Sequence, residues 1–255
     1  MWSDYAEGLF WLACLALAAW LLSLIKRNVG IVDSVWSLMF LSLGVWLAER
    51  SPFLTLRADI VLALLCLWSL RLSIYITARN FGKPEDSRYR AIRARHQPYF
   101  DFKSLYLVFL LQALLAWVIA LPLWGALSSV HALGVLDACG TCLVGVGIAF
   151  ETVGDWQLAR FKKDPANHDR VMDRGLWRYT RHPNYFGDFC VWWGFYLFAL
   201  SAGAWWSLLG PLLMSVLLMR VSGVALLEKT IGRRRPEYQD YVRRTNAFFP
   251  GPPRS

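Results

Sequence analysis

Charged residues are scarce in this 255-residue chain, at 18%, where a soluble domain carries roughly 25%. Acids are the scarcer sign, 18 against 27 basic residues. So little charge, with 56% hydrophobic residues, excludes a disordered chain, a collagen, a coiled coil and an ordinary soluble domain. Cysteine is sparse and odd in number, at five. Cys14, Cys66, Cys139, Cys142 and Cys190 all fall in apolar runs, so they read as small hydrophobes without a disulfide framework. Cys139 and Cys142 form a C-x-x-C pair, but no His or acid cluster lies near it. The four His show no ligand spacing either, and no metal is expected. Walker loops, nucleophile elbows and H-E-x-x-H are missing. A soluble dinucleotide-binding unit is missing too, so any nucleotide has to be held by spans and loops. No nucleic-acid recognition motif is visible, and none is expected as a partner.

Long apolar runs are what the chain has. A bilayer span needs ~20 mostly apolar residues. Seven runs qualify: Leu9–Ile25, Ile31–Ala48, Ile60–Ala78, Leu105–Leu127, Leu133–Ala149, Phe186–Ala202 and Trp205–Leu227. The second and fifth are short. The first is not expected to be a cleavable signal, because it opens on Asp4 and Glu7 and lacks a small-residue cleavage site. The net charge of +9 is distributed unevenly. Basic residues follow the first, third, fifth and seventh runs, and only Arg50 and Arg57 lie on the other side. The positive-inside rule then gives an all-α integral membrane protein of seven transmembrane helices, N-terminus out and C-terminus cytoplasmic. Residues 1–255 read as one transmembrane domain. Its cytoplasmic segments are 79–104, 152–184 and 228–255.

Ionisable groups inside spans are costly and are functional candidates by default. Asp33 lies in span two, Arg71 in span three, Asp188 in span six and Arg220 in span seven, which ends at Glu228. Span five runs on into Glu151 and Asp155. Residues three and four apart share a helix face. Trp68, Arg71, Tyr75 and Arg79 therefore form one polar-aromatic stripe, while Glu151 pairs with Asp155 and Asn184 with Asp188. Such groups also serve as interhelical glue, and Asp33 with Arg71 is the pair expected on that reading. Gly145 and Ala149, four apart, read as a helix-packing face.

The densest stretch is Arg174-Gly-Leu-Trp-Arg178-Tyr179-Thr-Arg181-His182-Pro183-Asn184-Tyr185-Phe-Gly187-Asp188. Pro183 suits the first turn of a helix. The free N–H groups there, beside Arg181 and His182, favour an anion. Gly187 allows a close backbone approach. Asn184 and Asp188 offer an amide and a carboxylate suited to a carboxamide such as that of nicotinamide.

This stretch resembles the C-terminal region of the membrane steroid 5α-reductases and related sterol reductases. It is similar, more loosely, to the isoprenylcysteine and phospholipid methyltransferases, which carry R-H-P-x-Y-x-G. Asn28…Asp33-Ser-Val-Trp36, the Glu85-Asp86-Ser-Arg88-Tyr89 loop and the tail Glu237-Tyr-Gln-Asp-Tyr241…Asn246-Ala-Phe-Phe-Pro250 extend the resemblance over spans two to seven. The chain looks like a bacterial member of the steroid 5α-reductase-like group.

The resemblance implies an NADPH-dependent reductase in the bacterial inner membrane, with its cofactor side cytoplasmic. It would reduce the C4–C5 double bond of a 3-oxo-Δ4-steroid or steroid-like lipid, as a monomer in contact with membrane lipid. Asp155, Asn184 and Asp188 match residues that line the nicotinamide half. Lys162, Arg170 and the basic tail match residues that hold phosphates. The full cofactor set implied is Arg71, Asp155, Lys162, Arg170, Arg174, Tyr179, Arg181, His182, Asn184, Asp188, Glu228, Arg235, Tyr238, Tyr241 and Asn246. The catalytic candidates are Asp33, Tyr75 and Trp68. The animal enzymes have Gln-Glu where this chain has Val32-Asp33, and their catalytic Tyr aligns near Trp68. The donor that stabilises charge on the ketone oxygen is therefore open among the three: Tyr75 donates directly, Trp68 through its indole N–H, and Asp33 only if protonated. Two other classes stay open, an S-adenosylmethionine-dependent membrane methyltransferase and a non-catalytic lipid-binding protein. Basic residues in all three cytoplasmic segments favour a cofactor with three phosphates over the methyltransferase's, which has none, and the Asp33, Arg71 and Tyr75 set argues against a non-catalytic role.

Overall fold

The computed structural model describes residues 2–51, 53–168, 170–221 and 237–254. All regular structure among them is helical, in line with the expected class. Five helices are long and apolar enough to cross a membrane by length and composition. They are α1 (Trp2–Lys26), α2 (Ile31–Arg50), α3 (Leu56–Asn80), the run Phe100–Ile119 and α8 (Val135–Lys163). Between them lie α4 (Ser87–Arg95), outside the apolar runs, and α7 (Leu121–Leu127). The run Phe100–Ile119 joins α5 (Phe100–Ser104), a π-helical stretch Leu105–Leu110 and α6 (Leu111–Ile119). Over the sixth expected run lies α9 (Pro183–Ser201), and over the described part of the seventh lie α10 (Leu209–Val216) and π-helical Leu217–Val221; neither is among the five helices long and apolar enough to cross. α11 (Glu237–Arg244) precedes the tail.

The described residues fall into two compact units, Met1–Gly134 with Phe198–Ser207, and Val135–Leu197 with Leu208–Ser255. In the first, α2 packs on both α1 and α3. Leucine, alanine and other good helix formers fill these segments, and Thr55 caps α3 by accepting the Ala58 N–H at 3.3 Å. Two serines stitch α2 to α3: Ser37 Oγ donates to Ser69 O (2.9 Å) and Ser73 Oγ to Ser34 O (2.8 Å). Small hydroxylated residues let helices approach and bond where no water competes. Tyr5 and Trp117 exchange hydrogen bonds, Tyr5 Oη to Trp117 O and Trp117 Nε1 to Tyr5 O. Arg57 is 1% exposed. Its guanidinium donates to Ser129 Oγ, the carbonyls of His131 and Ala132, and Ser201 Oγ. The outward faces of α1 and α3 keep Phe10, Leu17, Leu21, Ile25, Leu67 and Ile74 exposed. An apolar surface that large is compatible with a membrane protein.

In the second unit, α8 and α9 meet on glycine. A Cβ at Gly147 would fall 2.5 Å from Gly187 O, one at Gly187 2.6 Å from Gly147 O, and one at Gly194 2.9 Å from Gly140 O. The two backbones therefore touch along a seven-residue repeat, Gly140, Gly147 and Gly154 on α8 facing Gly187 and Gly194 on α9. This corrects the packing face expected at Gly145 and Ala149: Gly145 is exposed and nothing lies within 4 Å of its added Cβ. The fifth run also proves longer than expected. α8 continues for 29 residues, so Glu151 and Asp155 stand within one unbroken helix.

Candidate functional site

The first unit gathers its polar groups where α2 begins. Asp33 sits in the first turn of α2, a position that complements the helix dipole. Its Oδ2 accepts Arg88 Nη2 at 2.7 Å, and its Oδ1 accepts the Tyr89 hydroxyl. Both donors come from α4, whose N-cap Asp86 accepts the Arg88 N–H and Nε at 2.9 and 3.0 Å. A second clamp lies beside this one. Glu85 accepts the Val29 N–H and both Nε and Nη2 of Arg93, while Arg93 Nη1 reaches Asp101 at 2.8 Å. The N-terminal end of α2 is thus tied to the α4 segment by the Asp33–Arg88 ion pair and by the bond from Val29 N–H to Glu85, which Arg93 holds in place. The tie corrects the glue expected from sequence, because the partners of Asp33 are Arg88 and Tyr89 and not Arg71.

The electrostatics follow the geometry. Burial works to raise the Glu85 carboxyl, but the hydrogen bonds from Arg93 and Val29 and the Arg93 charge outweigh it and hold Glu85 below its usual range. Burial opposes Asp86 in the same way, and the bonds from Arg88 leave it lowered. Burial, then the charge of Asp33 and the bond to it, push the Tyr89 phenol well above its ordinary value. Tyr89 stays a neutral donor.

The Trp68-to-Arg79 stripe on α3 grades from core to surface. Trp68 is fully buried against Phe40, ring centroids 5.8 Å apart. Arg71 and Tyr75 are half-buried, and exposed Arg79 stands over the Tyr75 ring. The Ser73–Ser34 bond brings the Tyr75 region of α3 beside the Asp33 end of α2.

The second unit holds the other cluster. Glu151 and Asp155 are buried on α8. A Cβ at Gly187 would lie 2.7 Å from Glu151 Cγ, and one at Gly154 would lie 3.2 Å from Pro183 Cγ and 3.6 Å from Asn184 N. Two carboxylate-bearing turns of α8 therefore face the first turns of α9, which carry half-buried Asn184 and Asp188. The segment leading into α9 is held on both sides. Leu176 N donates to Gln157 Oε1, Trp177 Nε1 to Gly154 O, Tyr241 Oη to Trp177 O and Thr180 Oγ1 to Phe248 O. Arg181, 7% exposed, uses Nη1 on the carbonyls of Val242, in the last turn of α11, and of Thr245, just past its end. It braces the tail, and Tyr238 and Tyr241 are buried with it. His182, 4% exposed, stacks flat on Tyr185. Asn246 is half-buried and accepts Arg254 Nη2 at 3.2 Å, while Lys162, Arg170, Arg174 and Tyr179 stand at the surface. Glu228 and Arg235 lie outside the described residues. Among the described residues no group of three or more His, Cys, Asp or Glu is placed to hold a metal ion.

A family model described as a protein of unknown function, DUF1295, matches residues 19–245. The chain belongs to DUF1295. This family is steroid 5α-reductase-like, which agrees with the resemblance carried by the Arg181–Asp188 string. An uncharacterized protein of Schizosaccharomyces pombe is 25% identical to the DUF1295 chain over 97% of its length and 80% of the yeast protein. No solved structure matches it.

Two residues of this DUF1295 chain had no role assigned from sequence, Arg88 and Tyr89. The stretch Glu85-Asp86-Ser-Arg88-Tyr89 was visible as part of the resemblance. Nothing in its spacing says that it reaches a carboxylate more than fifty positions upstream.

Proposed function

We propose that this protein is an NADPH-dependent reductase of the C4–C5 double bond of 3-oxo-Δ4-steroid-like lipids. It works within a bacterial inner membrane, as a monomer of seven spans with its cofactor side cytoplasmic. The observation that carries the reading is the facing of Glu151 and Asp155 on α8 with Asn184 and Asp188 on α9, beneath a clamped Arg-His-Pro-Asn turn. The residues fit the cofactor. Surface Lys162, Arg170 and Arg174 are the kind of groups that bind phosphate, and a half-buried amide and carboxylate are the kind that hold a carboxamide. When bound, the nicotinamide supplies a hydride.

The chain's own work is to place those groups and to stabilise charge on the ketone oxygen. Asp33 already accepts two hydrogen bonds, which supports a positioning role for it. Trp68 is locked in the core. Tyr75, half-buried on α3, is the donor this reading favours. Exclusion of water by the apolar helices strengthens each such contact.

Purified protein in detergent, mixed with NADPH and a 3-oxo-Δ4-steroid, is expected to oxidise NADPH, followed as loss of its ultraviolet absorbance. Thermal stabilisation by NADPH alone, about 2.7 kcal/mol at 100 times Kd, should accompany it. Stabilisation by S-adenosylmethionine and not by NADPH would replace this reading with the methyltransferase.

A further inference from the structure

Gln112 sits in the fourth apolar run, in the first turn of α6. Its side chain lies beside Tyr89, and the Tyr89 hydroxyl donates to Asp33. Its own carbonyl oxygen, Oε1, is buried and accepts no hydrogen bond from any described residue. A buried acceptor left unmet is costly, and native chains keep few of them. Gln112 is half-buried as a residue. Its neighbours Leu111 and Leu114 are 46% and 45% exposed, whereas Ala113 and Ala116 are buried. The amide therefore stands where the lipid-facing side of α6 turns into the core. Directly before it, Leu105–Leu110 is π-helical. Such stretches are rare and recur at functional sites, because the wider turn frees backbone and re-aims the side chains that follow.

We infer that Gln112 Oε1, backed by Tyr89, is the acceptor for a hydroxyl group on a lipid ligand entering from the bilayer side of α6. The inference rests on the reading of this chain as acting on a lipid, and it deepens that reading by requiring the lipid to carry a hydrogen-bond donor. An acceptor in apolar surroundings discriminates by what it leaves unpaired: an ether of the same shape fills the same space and supplies no proton.

The test is binding of 17β-hydroxyandrost-4-en-3-one and a prenyl alcohol, each beside its O-methyl ether, to detergent-solubilised protein by quenching of tryptophan fluorescence. The wild type is expected to bind at least one alcohol about tenfold or more tightly than its ether. Gln112→Leu is expected to bring that ratio to about one while ether binding persists. Its melting temperature should not fall, since a leucine of similar size leaves no acceptor unmet. Equal binding of alcohol and ether by the wild type, or a preference that survives in Gln112→Leu, overturns the inference. So does failure of both alcohols to bind. NADPH-induced stabilisation, measured on the same samples, reports on the reductase reading separately.

Discussion

Arg88 Nη2 lies 2.7 Å from Asp33 Oδ2, across 55 positions of chain. This contact joins the first turn of α2, a helix long and apolar enough to cross a membrane, to a short helix outside the apolar runs, and the Tyr89 hydroxyl completes it on the other carboxylate oxygen. The Asp33 side chain is 15% exposed and that of Arg88 35%. Removing one partner should therefore cost more than at a surface bridge and less than at a fully buried one.

Asp33→Ala leaves both donors without their acceptor. A loss of about 1–3 kcal/mol is expected, between the surface and buried limits. Thermal unfolding in detergent checks it, and a double-mutant cycle with Arg88→Ala should show that the two losses do not add. Additive losses would mean that the contact contributes nothing.

The same network makes stability depend on pH at both ends. Glu85 and Asp86 are held below their ordinary values. Their contribution is present above the unfolded carboxylate range and disappears as pH falls through the lowered folded values. Tyr89 is raised, so its contribution is full below the ordinary tyrosine value of about 10 and is lost as pH rises beyond it. Tyr89→Phe should flatten the alkaline loss and leave the acid one in place. Melting temperatures across pH 3–11 decide this, and an unchanged alkaline limb would exclude Tyr89.

Gly147→Ala and Gly187→Ala push a methyl into backbone at 2.5 and 2.6 Å. Each should cost at least about 1–3 kcal/mol, as overpacking does. Gly145→Ala meets open space and should be neutral or stabilising by about 0.5–1 kcal/mol, the usual gain inside a helix. Detergent melting curves for the three variants give the order directly.

Asn184→Ala and Asp188→Ala should each weaken NADPH binding and turnover without unfolding the protein. Normal affinity and rate in both would reduce these residues to helix contacts. On the proposed reading the protein should prefer NADPH to NADH by about tenfold or more, the effect of one charged phosphate contact. Equal kcat/KM with the two cofactors would remove the phosphate role of Lys162, Arg170 and Arg174.

Tyr75→Phe keeps the ring and deletes the hydroxyl. A fall of about 10²–10³ in kcat for a 3-oxo-Δ4-steroid is expected, with NADPH affinity kept. Steady-state kinetics beside cofactor titration separate the two quantities. Weaker NADPH binding with kcat intact would move Tyr75 to the cofactor.

The helical class, and the shared faces of Glu151 with Asp155 and of Asn184 with Asp188, follow from local periodicity, which a single sequence carries; the approach of α8 to α9 that brings the two pairs together does not. The partner of Asp33 does not, because an ion pair between distant segments leaves no spacing to read. Gln112 was missed for another reason: a search for ionisable groups in spans passes over a neutral amide. The glycine contact was present as Gly140, Gly147 and Gly154, seven apart, but a four-residue search settles on Gly145 and Ala149 instead. Arg181 reads as an anion ligand from its motif, and only the fold reveals the carbonyls of Val242 and Thr245 around it.

The bond from Tyr241 to Trp177 spans 64 positions, and that distance sets an order of events during synthesis. The turn before α9 leaves the ribosome long before the residues that brace it exist. The bonds of Trp177 O, Thr180 Oγ1 and the Arg181 guanidinium to the tail form only once residues 241–248 have been made. Until then water serves those groups, and the turn before α9 takes its final form together with the tail.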